Sequence, residues 1–239
     1  MKKLFYIPLM LGAIAVAFTS CNDDDNGPTS QAITLSHTAV PTGAEEVRNI
    51  AVFAWNDDPH VVVYSTLTAN GFTLLLDRTP HPDALHTIPA GARIAEEVTI
   101  EGFSTNDGTF NEDDLLGEFW NERTVSTETT LSMTTEFYWY TDRDLTLIDD
   151  TDEEFTLDLT LRQGWNRVFI TVNIDFETFD ITMGATTTTV TGLTWVFDPI
   201  DAPNVPAAAP ANVTAEDVLR NKVREVRSRG AANILQDIR

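Results

Sequence analysis

Residues 155–162 alternate without a break: Phe155, Leu157, Leu159 and Leu161 stand against Thr156, Asp158, Thr160 and Arg162. Successive side chains of a strand point to opposite faces, so a period of two lays one apolar stripe on a strand and scatters it around a helix. The segment is therefore a half-buried strand. Gln163-Gly164 offers a turn, and Val168, Ile170, Val172 and Ile174 repeat the stripe beyond it. The two stripes are expected to be adjacent antiparallel strands turning at Gln163-Gly164, with Leu157 and Leu159 in the core.

The rest of the middle of the chain reads the same way. Val61–Tyr64 is a short apolar run, and Phe72, Leu74 and Leu76 form a stripe. Asn70-Gly71 between them favours a hairpin turn. Ile94, Val98 and Ile100 share a face; so do Leu131, Met133, Phe137 and Trp139. Leu145 and Leu147, then Phe179, Ile181 and Met183, then Leu193, Trp195 and Phe197 complete the series, with residues 104–118 read as a polar loop. Many short strands without intervening helices predict an all-β fold, an antiparallel β-sandwich over residues 33–198. A lipocalin-like barrel is the alternative, because alternation does not show closure.

The N-terminus carries a different signal. Met1-Lys2-Lys3 precedes an apolar run from Leu4 to Phe18, too short to span a bilayer comfortably and of signal-peptide length. The run ends in Phe18-Thr19-Ser20-Cys21, which resembles a lipobox, where signal peptidase II cuts before a cysteine that becomes lipidated; Phe18 stands where Leu is commoner. Cys21 is the only cysteine in the sequence, so no disulfide forms within the chain, and acylation accounts for it. More than one acyl chain on one residue gives stable anchoring. The following Asp23, Asp24 and Asp25 resemble the surface-export signal of Bacteroidota lipoproteins. Residues 1–20 are thus expected to be a signal peptide and residues 21–32 an acidic flexible tether. The protein is expected on the outer membrane, lipid-anchored and facing the cell exterior.

Charge bounds the partners. The whole chain carries a formal charge of −22, and losing Lys2 and Lys3 with residues 1–20 makes the remainder more acidic still. Such a chain repels nucleic acid. The membrane, reached through lipid on Cys21, and a protein or glycan ligand are the expected partners. The basic residues gather at the end, at Arg220, Lys222, Arg224, Arg227, Arg229 and Arg239. Residues 199–213 hold four prolines and read as a semi-rigid linker. Residues 214–239 read as a basic amphipathic helical tail, with Val218, Leu219, Val223 and Val226 at helical spacing.

Four phrases occur together in the body: Asn70-Gly71-Phe72-Thr73-Leu74-Leu75-Leu76, Asp142-Arg143-Asp144-Leu145-Thr146-Leu147, Arg162-Gln163-Gly164-Trp165-Asn166-Arg167-Val168 and Gly192-Leu193-Thr194-Trp195. In this order they resemble elements shared by a group of Bacteroidota-type surface lipoproteins, over roughly residues 60–197. The first also resembles a strand of transthyretin-like or immunoglobulin-like sandwiches. No activity comes with that group, and no functional residue is carried over from it.

Catalytic signatures are missing from the sequence. There is no Gly-x-Ser-x-Gly elbow, no His-Glu-x-x-His, no phosphate-binding glycine loop and no dinucleotide fingerprint. With 37 acidic residues, pairing of carboxylates such as Glu112, Asp113, Asp114 and Glu118 carries no information. Placing Gly108 sixth in a calcium loop puts Phe103 where the first aspartate must stand, so that motif fails. Asn106, Asp107 and Asn111 with those acids, and the acidic run from Asp149 to Glu154, are read as solvated loops. His81 and His86 flank a proline-containing loop; their spacing would allow a metal pair, but the commoner role, exposed loop histidines, is the expectation. No metal, no cofactor and no catalytic residue is expected. Trp139 and Trp165 belong to core stripes, whereas Trp55 and Trp120, beside polar and acidic residues, are the better candidates for exposure.

The expected function is that of a lipid-anchored cell-surface lipoprotein with a non-catalytic binding or structural role. A fimbrillin-type pilus or adhesin subunit is the alternative, matured by cleavage after Arg48, and a surface hydrolase a third. Replacing Cys21 by alanine should abolish incorporation of an acyl-chain probe during growth; unchanged labelling of the mutant would exclude the anchor.

Overall fold

The computed structural model describes residues 31–200, apart from 57, 106, 107, 109, 150–154 and 179. The acidic run at Asp23–Asp25, Cys21, most of the proline linker and the basic tail lie outside the described residues.

The described chain is nearly all β. Its strands are β1 (Ile33–His37), β2 (Asn49–Asn56), β3 (Asp58–Thr66), β4 (Phe72–Leu76), β5 (His86–Thr87), β6 (Arg93–Ala95), β7 (Val98–Phe103), β8 (Leu115–Ser126), β9 (Thr130–Thr141), β10 (Leu145–Asp149), β11 (Phe155–Leu161), β12 (Gly164–Asp175), β13 (Ile181–Thr186) and β14 (Thr194–Pro199). Two single-turn 3-10 helices, Pro82–Ala84 and Glu112–Asp114, interrupt them. A large sheet runs β10-β11-β13-β12-β9-β8-β7-β2-β3, with β14 on β8 and β6 on β9, and it curls into a half-barrel. A separate pair, β1 with β4, forms a second layer.

The second layer is held by apolar contact. Ile33, Leu35, Phe72, Leu74 and Leu76 of β1 and β4 pack with Tyr138, Tyr140, Trp165, Phe119 and Trp195 from the large sheet. Phe72 meets Trp195 edge to face at 5.1 Å, and Tyr140 meets Trp165 at 5.6 Å. On the opposite face Phe137, Trp139, Val168 and Ile170 pack with Leu157, Leu159 and Leu161 in a second cluster. β9 and β12 are therefore buried on both faces, which is why their stripes run into near-continuous apolar sequence.

The turn at Gln163-Gly164 exists, with Gly164 at a φ of +101°. The strands it joins are not neighbours, contrary to the expected hairpin. β13 lies between them, parallel to β11 and antiparallel to β12. Asn166 supplies the reason. Its buried amide accepts from the Arg162 N–H at 2.8 Å and donates to the Arg162 and Gly164 carbonyls at 2.8 and 3.0 Å. The backbone groups that would begin a β11–β12 ladder are satisfied by one side chain. The strands splay, and β13 enters the fork, where the Thr187 N–H reaches the Asp158 carbonyl and the Thr160 N–H reaches Thr187 Oγ1.

Three further expectations change. Asn70-Gly71 makes its tight turn, closed by reciprocal Thr68–Gly71 backbone bonds with Gly71 at a φ of +83°. It does not join paired strands; it passes the chain from β3 in the large sheet to β4 in the small layer. The polar loop after Ser104 ends at Asp114, because β8 begins at Leu115. Gln31, within the stretch read as tether, bridges Gly164, with its N–H on the Gln163 carbonyl at 2.8 Å.

Leu157 and Leu159 lie in the core as expected, Leu159 with no exposed surface. Leu159→Ala should cost about 2–5 kcal/mol in urea denaturation, and Asn166→Ala should cost a comparable amount by orphaning buried backbone groups. Thr160→Ala on the exposed face should change stability by less than about 0.5 kcal/mol. Equal effects for Leu159 and Thr160 would contradict the burial pattern.

Candidate functional site

Three buried carboxylates mark the interior of the large sheet. Glu136 of β9 sits under the small layer, and Arg167 of β12 approaches its Oε1 at 3.1 Å. The Asn121 amide of β8 donates to its other oxygen. Burial first, and then the Glu136 charge, hold the Tyr138 phenol protonated well above its ordinary range. An ion pair from β12 and an amide donor from β8 thus offset the cost of burying this carboxylate, while Oε1 makes no hydrogen bond. Arg167 also donates to the Thr34 carbonyl at 3.0 Å, tying β1 to the large sheet through the same guanidinium.

Glu101 of β7 is 5% exposed. The Trp55 indole donates to Thr99 Oγ1 at 2.8 Å, and the Thr99 hydroxyl donates to Glu101 at 2.7 Å. Glu118 stands directly opposite on β8. Burial, with the Glu118 charge behind it and the Thr99 bond opposing, pushes the Glu101 carboxyl up to about 7. Glu96 is 3% exposed and lies 3.0 Å from His86 Nε2. Burial, opposed by a backbone hydrogen bond and aided by neighbouring Glu97, pushes it up to about 8. Carboxyls tuned to this range are general-acid material, but a group so enclosed cannot touch a substrate without an opening of the fold.

The side of the sheet next to β1 is open. A groove of about 490 Å³ is lined by Gln31, Thr34, Arg162, Arg167, Thr187 and Thr189, among others. Arg162 is paired with Asp144 at 2.9 Å and Arg167 with Glu136, so neither guanidinium is a bare cation. The groove offers hydroxyl, amide and guanidinium donors, each of its two guanidiniums paired with a carboxylate. That character suits a hydroxyl-rich neutral ligand better than a polyanion.

At the other end, His60 of β3 and His81 stack with ring centroids 4.4 Å apart and planes 13° apart, beside Asp83. The histidine grouping differs from the one the spacing suggests. His81 pairs with His60, and His86 turns away to Glu96.

The other residues singled out in the sequence fall as follows. Trp139 and Trp165 are fully buried, as their stripes imply, and the Trp165 indole donates to the Arg78 carbonyl at 2.8 Å. Trp120 is buried too, packed against Phe137 at 6.1 Å, and Trp55 is half-buried and bonded to Thr99. Asp114 is spent on its own loop, accepting from Asn111 and Ser104. Arg48 is built into the sheet: its N–H donates to the Phe103 carbonyl and its carbonyl accepts from Leu67. Cys21, Asp23, Asp24 and Asp25 lie outside the described residues, as do Asn106, Asp107 and Asp150 to Glu154. Sequence reading missed Glu96, Glu101 and Glu136, because among 37 acids nothing local marks a buried one. The available signal was an acid within an otherwise apolar stripe, as in Thr135-Glu136-Phe137-Tyr138.

No family model matches the chain, and no curated protein or solved structure is similar enough to assign it by resemblance.

The raised carboxyls set a pH dependence. Between about pH 5 and pH 8 the native protein retains protons on Glu96 and Glu101 that the unfolded chain has released. Stability should therefore fall as pH rises through this window and level off above it. Asp142 and Asp144, lowered in the fold although burial opposes it, act only below the ordinary carboxylate range and leave the window untouched. Glu96→Gln should flatten the slope in denaturation curves taken from about pH 5 to about pH 9. A mutant that keeps the wild-type slope would remove Glu96 as its source.

Proposed function

We propose that this chain is a lipid-anchored lipoprotein of the outer membrane, held through Cys21 with its β domain on the cell surface, and that the domain has a non-catalytic binding or structural role. The observation that carries the reading is the apolar run ending at Ser20-Cys21, followed by Asp23-Asp24-Asp25 and then by an all-β domain with no second cysteine. The non-catalytic part is supported by how the polar interior is used. Glu136 is occupied by Arg167 and Asn121, and Glu96 and Glu101 are enclosed. The open groove beside Gln31, with its threonines and neutralised arginines, is the surface proposed to meet a ligand, for which a glycan is the favoured class.

Two rivals are weaker on specific grounds. Fimbrillin-type maturation after Arg48 would cut a backbone whose hydrogen bonds on both sides hold β2 in register. A hydrolase has only the abundance of acids in its favour, with no catalytic signature in the sequence.

Protease added to intact cells should digest the β domain. Replacing Asp23, Asp24 and Asp25 together by alanine should shelter it by moving it to the periplasmic face. A wild-type protein that survives such shaving would refute the surface assignment. On a glycan array the full chain should retain ligands that Thr189→Trp, a bulky change at an exposed groove position, no longer retains.

A further inference from the structure

We propose that His60, His81 and Asp83 form a surface site for a divalent transition-metal ion of the zinc, copper or nickel class. One ligand atom from each of the three residues lies within 4.8 Å of the others. Two imidazoles and one carboxylate are the donor set of such metals, whereas calcium and magnesium ask for six or more oxygens. Bonds of about 2.0–2.1 Å in tetrahedral geometry place ligand atoms roughly 3.3 Å apart. His81 Nδ1 and Asp83 Oδ2 already stand at 3.5 Å. His60 closes the remainder by side-chain rotation, to which its partly exposed position gives room.

The scaffold under these three groups is fixed. The Asn56 amide at the β2–β3 tip donates to the Asp83 carbonyl at 2.7 Å, and the Arg93 guanidinium donates to the Pro82 carbonyl at 3.0 Å. The Ala84 and Leu85 N–H groups close the 3-10 turn on the His81 and Pro82 carbonyls. Pro59 before His60, and Pro80 and Pro82 around His81, narrow the backbone further. The loop that presents His81 and Asp83 is thus clamped to the strand tip that presents His60, a contact spanning more than twenty residues of chain. A held backbone leaves only side-chain rotation, chiefly of His60, to be ordered when a metal arrives.

The chemistry at His81 is compatible. Its Nδ1 accepts from the Asp83 N–H at 3.3 Å, a long bond. The Nδ1 lone pair therefore faces Asp83, and a metal takes it over for the loss of one weak hydrogen bond. The net negative charge of the chain favours cations over anions as its ligands. Three protein ligands leave a fourth position for water or for a donor from outside the chain. Because His81 and Asp83 are exposed, the site exchanges with solvent and binds more weakly than an enclosed structural zinc centre.

The test is calorimetry on the full chain without an affinity tag, with Cys21→Ser to remove its one thiol. ZnCl₂ and NiCl₂ are titrated in turn, with CaCl₂ as the oxygen-seeking comparison. The expected result is one Zn²⁺ or Ni²⁺ per chain with micromolar affinity and no comparable calcium binding. His60→Gln and His81→Gln should each weaken binding at least tenfold, and Asp83→Asn severalfold. Glu112→Gln, in the separate acidic loop, should leave it unchanged. The substituted positions are at the surface, so an unchanged melting temperature without metal shows that the variants fold. The proposal is overturned if the His60→Gln/His81→Gln double variant binds zinc as the parent does. It is equally overturned if the parent binds none, or if calcium competes on equal terms.

Discussion

The ladder between β9 and β12 carries the rest of this molecule. Twelve residue pairs, from Gly164 opposite Thr141 to Asp175 opposite Thr130, run in one unbroken register. On one side the ladder presents Tyr138, Tyr140 and Trp165 to the small β1–β4 layer; on the other it presents Phe137, Trp139, Val168 and Ile170 to the curled half of the sheet. A one-residue slip would exchange these faces and ruin both clusters together, so two cores enforce one register. Glu136 adds a polar condition. Its carboxylate is compensated only where Arg167 of β12 and Asn121 of β8 reach it, and a slipped ladder would leave a buried charge unpaired.

Polar side chains elsewhere place strands and do not sit idle on the surface. Asp144 accepts from the Gln163 N–H at 2.8 Å and from Arg162 at 2.9 Å, while Asp142 accepts from the Arg93 N–H at 3.1 Å. The Asp142-Arg143-Asp144 phrase therefore pins β6 and the β11–β12 turn to one spot. Asn166 keeps that turn open from within, and the buried Trp165 reaches across to Arg78. Two of the four phrases, at 142–147 and 162–168, are thus joined in space by the bonds of one corner of the fold.

How legible this was depends on range. Alternation is local, so the stripes at 61–64, 72–76, 131–139, 155–161 and 168–174 could be read directly, and the all-β class with them. Neighbour relations are not local. Nothing in residues 155–174 announces that β13 will part β11 from β12, because β13 comes from residues 181–186 and pairs with a strand more than twenty residues before it. The start of β8 was hidden by composition, since Gly117 and Glu118 read as loop. A β-carbon at Gly117 would sit 2.3 Å from the Asp198 carbonyl oxygen, so glycine is what lets β14 lie close against the strand. The histidines show the same limit. Chain spacing groups His81 with His86, whereas the fold brings β3 up to the loop and groups His81 with His60.

The two ends of the main strand path, β10 and β3, bear on how readily the sheet takes a strand from another chain; β14, which pairs only with β8, is a further edge. An open edge invites pairing with another chain unless something blunts it. β10 is five residues long and closes one edge, with half-buried Leu145 and Leu147 packed inward against the second cluster. β3 closes the other edge and carries Pro59, which cannot donate to a ladder. The register shift at Val52/Phe53 twists β3 locally against β2. Tyr64, the exposed aromatic of this edge, meets Phe110 at 5.4 Å, so a loop leans over the strand. A short edge on one side and a proline-bearing, bulged and partly covered edge on the other discourage strand addition. At these two ends the sheet resists donated strands, while the groove beside β1 and the histidine pair at β3 offer polar surface.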